Sequence, residues 1–271
     1  ASGHFKNRHA GGLVVIPTGG GKTFTAVHWL TDLIAENPAI RVLWLADRKE
    51  LVDQAAREFE NQGSRMPVGT ERVLRVVHGS GSPRSLLADP TVDIVCATRQ
   101  SVIGRTFDAT AKKALREFLA RPIVVVVDEA HHGVSMTYRK LLDYIEAQST
   151  ASLLIGLTAT PWPAGHGKTA ALHDRFPTTV VTVDASKLIA DQILARPIVH
   201  TLQTGQHVTL SAADRTRLGG AGDLPDDILR KLDTEARNQL IVDAWLQDRK
   251  RWGKTLVFAC NIKHADRLGE M

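Results

Sequence analysis

The sequence predicts an α/β fold in which a mostly parallel sheet is flanked by helices. Short apolar runs alternate along the chain with amphipathic stretches, and most of these runs show no alternation in polarity. Strands buried on both faces have this pattern, because helices cover each side of a parallel sheet. The chain has 271 residues, of which 43% are hydrophobic, so it is long enough to bury a large core without disulfides or metal.

Six apolar runs rich in Val, Ile and Leu are predicted as strands, and four amphipathic stretches between them are predicted as helices. In one of these stretches Leu51, Ala55 and Phe59 recur at helical spacing, with charged residues off that stripe. Ligands of such sheets bind at the carboxyl ends of the strands. The predicted strands are 12–16, 40–46, 72–78, 92–98, 122–128 and 152–158, and the predicted helices are 22–36, 48–61, 107–120 and 136–147.

The pattern changes from about residue 203. Residues 204–225 are polar and glycine-rich, which predicts a loop or linker, and residues 254–260 read as a strand followed by the opening of a helix. Between them, one helix is predicted from apolar residues at every fourth position: Ile228, Leu232, Ala236, Leu240 and Ala244. We expect three segments: a first domain over 1–202, a linker or connecting helix over 203–235 and the start of a second domain over 236–271.

Composition narrows the classes of partner and compartment. The net charge is +5 and arginine outnumbers lysine, which suits phosphate recognition and allows a polyanionic partner. Cys96 and Cys260 each lie in an apolar run, and no Cys/His cluster has zinc spacing, so both are predicted as reduced core thiols of a cytoplasmic protein. No run approaches the roughly 18 apolar residues of a membrane span, so no membrane association is expected. The sequence begins with polar residues and has no initiator Met, so we expect that the chain starts within a longer protein.

Residues 16–23, IPTGGGKT, directly follow the first predicted strand and open the first predicted helix. The glycines let the backbone wrap closely around phosphate oxygens, and the amides at the helix start point at the anion. Lys22 is placed to reach the β- and γ-phosphates of ATP, and the Thr23 hydroxyl to ligate Mg²⁺. The strict motif begins with glycine, where this chain has Ile16. The candidate nucleotide-binding residues are Thr18, Gly19, Gly20, Gly21, Lys22 and Thr23.

Residues 124–132, VVVVDEAHH, place two acids at the carboxyl end of a predicted buried strand. Asp128 is placed to bind Mg²⁺, and Glu129 to orient and deprotonate the attacking water. Lys22, Asp128 and Glu129 are therefore the candidate catalytic residues. We expect His131 to hydrogen-bond between a nucleotide site and a nucleic-acid site rather than to bind metal.

Two later stretches, residues 158–160 and 167–169, also need an interpretation. Thr158 and Thr160 follow the strand at 152–158, where their hydroxyls are candidates for linking the acidic motif to a nucleic-acid site. Residues 167–169 form a second Gly-Lys-Thr, which we expect to be a decoy in a surface loop. It lacks a buried strand before it, and two nearby prolines disfavour regular structure.

The order PTGGGKT, DEAH and TATP resembles that of superfamily 2 helicases and translocases, in particular the DEAH-type restriction enzyme III-like ATPases. These include motor subunits of type I and type III restriction enzymes and related DNA-repair helicases. Residues 45–54 resemble motif Ia, 97–101 motif Ib, 186–197 the segment that closes the first motor domain, and 236–245 with 254–268 the entry to the second. The resemblance implies a RecA-like P-loop NTPase domain followed by the start of a second RecA-like domain.

The resemblance also implies ATP and Mg²⁺ as cofactors and DNA as the partner. The nucleic-acid contacts that it implies are Arg48, Thr98, Arg99 and Gln100, with His131, Thr158 and Thr160 as coupling residues. The function expected is an ATP-dependent DNA helicase or translocase motor in a restriction, defence or repair system, with further subunits as partners. The family's adenine-reading glutamine and its arginine finger have no match here, so we expect a fragment that hydrolyses ATP poorly alone.

Three other functions stay open at this point. An RNA-dependent motor shares the motifs, although no residue here is assigned to a 2′-hydroxyl. An ATP-gated sensor or scaffold would bind nucleic acid without unwinding it. A small-molecule kinase or GTPase fits less well, since the chain has no Asn-Lys-x-Asp guanine motif and carries DEAH and TATP instead.

Overall fold

A parallel sheet that carries polar loops at its carboxyl edge is the centre of the computed structural model. The described residues form seven strands in the order β3-β4-β2-β5-β6-β1-β7, and every pairing between them is parallel. The structure describes residues 9–79, 87, 89–106, 108–132, 135–161, 168–202, 209, 211–212 and 226–271. The strands are β1 His9–Val15, β2 Arg41–Ala46, β3 Val73–Val77, β4 Val92–Thr98, β5 Ile123–Val127, β6 Ser152–Thr158 and β7 Thr178–Thr182.

All six predicted strands are present, which confirms the predicted α/β class. The seventh strand, β7, was not predicted because its sequence TTVVT has no long apolar run, and all five residues are exposed. It pairs with β1 at the edge of the sheet, where only one neighbour is needed.

The helices lie between successive strands, as the periodicity indicates. Three of them were not predicted: α3, which begins at the predicted motif Ib, α6, which begins at Lys168 where a surface loop was expected, and α7, which overlaps the segment 186–197. Gly167 of the second Gly-Lys-Thr lies outside the described residues. The helices up to Ala190 are α1 Lys22–Glu36, α2 Lys49–Gln62, α3 Arg99–Arg105, α4 Ala109–Leu119, α5 Met136–Gln148, α6 Lys168–Arg175 and α7 Ala185–Ala190.

The sheet is buried on both faces, which explains the absence of alternation in its strands. In β5, Val125 and Val127 face one core with α4 and α5, whereas Val124 and Val126 face the other with α1 and α2. All five residues of β5 are buried. The position of each strand's end is therefore held from two sides, and the loops at the carboxyl edge rest on a rigid base.

The described residues form two compact units, one ending at Arg196 and the other running from Pro197 to Met271. The second unit contains four helices within its described residues: Asp226–Leu232, Glu235–Gln247, Arg249–Trp252 and Ile262–Glu270. Most of the predicted linker from residue 203 falls outside the described residues. The boundaries at 202 and 235 therefore stay predictions.

Three predictions for the second unit were wrong. Residues 254–260 are not a strand, because they pair with no neighbour among the described residues, and Phe258 is 90% exposed. The single helix expected from Ile228 to Ala244 is broken between Leu232 and Glu235. Cys260 is exposed rather than part of a core, whereas Cys96 is fully buried and burial raises the pKa of its thiol.

A buried polar network joins two helices of the second unit. Nδ1 of His264 accepts a hydrogen bond from the Cys260 amide at 3.1 Å, so the ring hydrogen belongs to Nε2, which donates to Oδ1 of Asn238 at 3.0 Å. The Asn238 side-chain amide in turn donates to Asp233 at 2.8 Å. Both Asn238 and His264 are buried, so these bonds satisfy groups that water does not reach.

No helix in the described part of the chain combines the length and the apolar character that crossing a bilayer requires.

Candidate active site

The predicted motifs meet at the carboxyl edge of the sheet because their strands are neighbours. β6 lies between β5 and β1, with Val15 level with Thr158 and Val127 level with Gly156. The glycine-rich loop after β1, the acidic loop after β5 and the threonines after β6 therefore lie side by side. This is the edge at which open α/β sheets bind their ligands.

The glycine-rich loop requires glycine for two separate reasons. Gly19 and Gly21 have φ angles of 80° and 88°, in the left-handed region that other residues rarely adopt. A Cβ on Gly20 would lie 2.7 Å from both Ile16 Cγ2 and Leu188 Cδ1. The loop is therefore a tight backbone turn that presents amides rather than side chains.

The structure explains why Ile16 replaces the first glycine of the strict motif. Its side chain is only 4% exposed, and its amide donates to the Thr158 carbonyl at 3.1 Å. Ile16 thus extends the pairing of β1 with β6 by one residue and packs on Gly20. In this chain the residue at this position is part of the sheet and packs against the loop, and it does not form part of the turn.

Helix α1 begins at Lys22, directly after the loop. Gly21 provides no side-chain cap, and no acidic residue lies in the first turn, so the first amides of α1 are available to an anion. The Lys22 side chain is only 10% exposed, and its Nζ lies 4.0 Å from Oε1 of Glu129. Thr23 is half-buried beside it, whereas Thr18 is exposed in the loop.

Asp128 and Glu129 differ sharply in environment although they are adjacent. Asp128 is 6% exposed, and its carboxylate accepts a hydrogen bond from the Glu129 amide at 3.0 Å. Burial and the charge of Glu129 raise the pKa of Asp128 to about 6. Glu129 has a φ of 50°, which is unusual for a residue with a side chain and costs on the order of 1 kcal/mol.

His131 connects the acidic loop to the two threonines. Its Nδ1 lies 3.4 Å from Glu129 Oε2, 3.2 Å from the Thr158 hydroxyl and 3.3 Å from the Thr160 hydroxyl. The Thr158 hydroxyl donates to the Thr160 carbonyl and accepts from the Thr160 amide, so Nδ1 of His131 acts as the donor to it. Burial, with a smaller contribution from His132, lowers the pKa of His131, which favours this neutral form.

Lys22, Glu129, His131, Thr158 and Thr160 therefore form one continuous chain of contacts across three loops. This chain of contacts links the helix that follows the glycine-rich loop to the threonines after β6 by side chains alone. The arrangement matches the coupling role expected for the last three residues, which stays a prediction.

The four predicted nucleic-acid contacts divide into two pairs. Arg48 and Gln100 are exposed at the carboxyl edge, as a contact to a backbone phosphate requires. Thr98 is only 8% exposed and its hydroxyl bonds to that of Ser101 at 2.7 Å, at the start of α3. Arg99 points inward: its Nε lies 3.2 Å from Oδ1 of Asp47.

Sequence reasoning missed Asp47 and Tyr138, which both contact Arg99. It also missed Leu188 and Leu194, whose side chains lie against Gly20 and Gly19. Asp47 carried one weak signal, since it directly follows a predicted strand and precedes Arg48. Leu188 and Leu194 lie in the segment 186–197 that resembles the end of the first motor domain, whereas Tyr138 looks like an ordinary position of an amphipathic segment.

Comparison with known proteins identifies the family. The sequence profile described as the type III restriction enzyme res subunit matches residues 2–162. The chain belongs to this family. The resemblance to restriction enzyme III-like helicases of superfamily 2 is thereby confirmed, and the match includes the glycine-rich loop, the acidic loop and both threonines.

Curated relatives of this res-subunit-family chain are longer than the chain itself. It is 28% identical over 276 residues to the type I restriction enzyme EcoAI endonuclease subunit of Escherichia coli, covering 94% of the chain and 30% of that protein. It is 28% identical over 287 residues to the EcoKI endonuclease subunit of the same species, covering 95% and 24%. The chain therefore spans less than a third of the length of these relatives.

Solved structures show the same fold. The helicase domain of Pyrococcus furiosus Hef matches with a TM-score of 0.54 at 19% identity, covering 98% of this chain and 50% of that one. The Mycobacterium smegmatis helicase Lhr, bound to single-stranded DNA and AMP-PNP, matches with a TM-score of 0.51 at 26% identity, covering 65% and 24%. The predicted RecA-like architecture of the first unit is confirmed.

Proposed function

We propose that this chain contains the ATP site of a nucleic-acid-dependent motor that acts on DNA. The observation that carries the proposal is the approach of Lys22 to Glu129 beside the buried Asp128. A phosphate-binding lysine, a metal-binding acid and a base are the groups that phosphoryl transfer to water requires, and here the ends of β1 and β5 bring them together.

The residues fit a nucleotide and a divalent cation. The bare backbone of residues 19–21 and the open amides of α1 suit a polyphosphate. Burial and the nearby charge of Glu129 raise the pKa of the Asp128 carboxyl, and a bound cation would favour its charged form. Thr23 and Asp128 would hold Mg²⁺, which when bound neutralises charge on the transferred phosphoryl group.

Each side chain then has one task. Lys22 binds the β- and γ-phosphates, and Glu129 orients the attacking water and takes its proton. His131 donates from Nδ1 and in this way holds the Glu129 carboxylate close to the threonine hydroxyls. Arg48 and Gln100, exposed on the same edge, are the candidates for contact with the nucleic-acid backbone.

DNA is the favoured partner because of the relatives. The two Escherichia coli relatives are restriction endonuclease subunits, and the structure of Lhr contains single-stranded DNA with AMP-PNP. We infer a motor for restriction, defence or repair that works with further subunits. An RNA-dependent motor and an ATP-gated sensor without unwinding are the alternatives.

Two substitutions in the full-length protein test the ATP site. Lys22→Ala should weaken ATP binding about ten- to hundredfold, because it removes charge-assisted bonds to phosphate. Glu129→Gln should retain binding and lower turnover about 10²- to 10⁴-fold, because it removes the base. Calorimetric titration with ATP and a steady-state ATPase assay provide the two measurements.

Lys112→Ala and Glu117→Gln are the matched controls, since both residues are exposed on α4. Unchanged ATP affinity of Lys22→Ala would contradict the assignment of the loop, and normal turnover of Glu129→Gln would place the base elsewhere. Matched DNA and RNA duplexes in the same assay distinguish the two motors, and a strand-displacement assay distinguishes a motor from a sensor.

A further inference from the structure

Arg99 lies at the centre of a cluster that the function proposed above does not use. Its Nε is 3.2 Å from Oδ1 of Asp47, and its guanidinium carbon is 5.2 Å from the centre of the Tyr138 ring. We refer to Asp47, Arg99 and Tyr138 as the Arg99 cluster. Its members come from three segments: the loop after β2, the start of α3 and the first turns of α5.

The contacts within the cluster are largely shielded from water. The side chains of Asp47 and Arg99 are each only 22% exposed, and Tyr138 is 1% exposed. An ion pair and a cation–π contact that are shielded from water are each stronger than their exposed equivalents. The Tyr138 hydroxyl has no hydrogen-bond partner among the described residues, so the ring face is what Tyr138 contributes.

The position of the cluster suggests what it holds. Asp47 is followed by Arg48 and Arg99 by Gln100, the two exposed candidates for nucleic-acid contact. Asp47 and Arg99 directly follow Ala46 and Thr98, which pair across β2 and β4, so their contact links the two segments just beyond the end of the sheet. Tyr138 belongs to α5, which follows the acidic loop with Asp128 and Glu129.

We propose that Arg99 is a positioning residue rather than a phosphate contact: it fixes the two nucleic-acid-binding loops to each other and to the helix after the acidic loop. This inference rests on the proposed function, because positioning has a consequence only if the loops bind nucleic acid. Its consequence is that nucleic acid stimulates ATP turnover through a rigid connection between the loops and the site.

The salt dependence of duplex affinity distinguishes a positioning residue from a residue that contacts a phosphate. Each phosphate contact to duplex DNA contributes about 0.9 to the slope of log affinity against log salt. Duplex affinity of the full-length protein is measured by fluorescence anisotropy between 50 and 300 mM salt, alongside the ATPase rate with and without saturating duplex. Arg48→Gln is the matched control, because Arg48 has the same charge and is exposed.

We expect Arg48→Gln to lower the slope by about 0.9, and Arg99→Gln to leave it unchanged while reducing the stimulation of turnover by duplex about fivefold or more. Arg99→Lys keeps the charge but loses the planar group, so it should keep the slope and still lose stimulation. Tyr138→Phe should behave as wild type, and Tyr138→Leu should lose stimulation as Arg99→Gln does.

An Arg99→Gln slope that falls as in Arg48→Gln would overturn the inference, as would full stimulation in both Arg99 variants. If Arg99→Gln does not fold, Arg99→Lys decides, because full rescue by lysine identifies a simple charge contact. A wild-type protein that binds no duplex and shows no stimulation would overturn the proposed function and this inference with it. A responsive wild type with a changed Arg99 slope would overturn this inference alone.

Discussion

At the scale of single residues, the site holds two features that cost stability in the absence of a ligand. Asp128 is a carboxylate with 6% exposure, and Glu129 has a left-handed backbone at φ 50°. Both residues directly follow the last residue of β5. Such costs are typical of sites that are completed by a bound group.

The raised pKa of Asp128 predicts a pH-dependent stability. The native pKa of about 6 is above the ordinary 3.8, so the folded state binds the proton more tightly than the unfolded state. Stability from this group therefore falls as pH rises from about 4 to 6, and the full penalty of about 2 to 3 kcal/mol is present above pH 7. Asp128→Asn should raise the free energy of unfolding by that amount at pH 8.

Denaturant unfolding without nucleotide or divalent cation measures this effect. At pH 5 the gain from Asp128→Asn should shrink to roughly half, because part of the wild-type carboxyl is then protonated. Asp174→Asn, at an exposed position of α6, is the control and should change little at either pH. A variant that is no more stable than wild type at pH 8 would show that Asp128 carries no such penalty.

At the scale of elements, β6 supports the acidic loop through a residue without a side chain. A Cβ on Gly156 would lie 2.9 Å from Ala130 Cβ, Leu13 Cδ1 and Phe176 Cε1. Ala130 begins the 3₁₀ turn Ala130–His132, which carries His131. The position of the turn over β6 thus depends on close contact at Gly156.

Gly156→Ala should therefore lower stability by about 1 to 3 kcal/mol and displace the turn that carries His131. ATP turnover of the full-length protein should fall at temperatures where the variant remains folded. Thermal unfolding and turnover below the transition measure the two effects. Gly104→Ala is the control: a Cβ there meets nothing within 4 Å, and alanine favours the helix. If Gly156→Ala turned over ATP at the wild-type rate, the close contact at Gly156 would not be needed for the candidate site.

At the scale of the whole molecule, net charge indicates which class of partner the chain is able to bind. The chain carries 34 Lys and Arg against 29 Asp and Glu, a net charge of +5. An excess of this size permits association with a polyanion without demanding it. The exposed Arg48 at the carboxyl edge is one candidate that brings this charge to the proposed interface.

We predict salt-sensitive binding of the full-length protein to DNA. If two phosphates are neutralised, duplex affinity should fall about tenfold between 50 and 200 mM salt, because the bound phosphates release counterions. Anisotropy titrations with one labelled duplex at several salt concentrations measure this. An RNA duplex of the same sequence is the comparison. Affinity that stays constant with salt would argue against a backbone-binding motor.

Much of this protein could be predicted from local pattern. Buried strands appear as runs of Val, Ile and Leu because both faces of the sheet are covered, and all six predicted runs are strands. The motifs PTGGGKT, DEAH and TATP each follow an apolar run, so Lys22, Asp128 and Thr158 could be placed near the carboxyl ends of strands, whereas the sheet order made those strands neighbours. For these features each residue's neighbours along the chain carry the necessary information.

Other features depend on partners distant in the sequence, and only the tertiary structure decided them. Arg99 is predicted from its sequence motif as a phosphate contact, and the structure adds its contacts with Asp47 and Tyr138, which no local pattern indicated. β7 is a strand because β1 offers it an edge, whereas residues 254–260 read as a strand but pair with nothing in the described part of the chain. The direction of a side chain and the formation of a ladder both require a second segment, which local pattern does not specify.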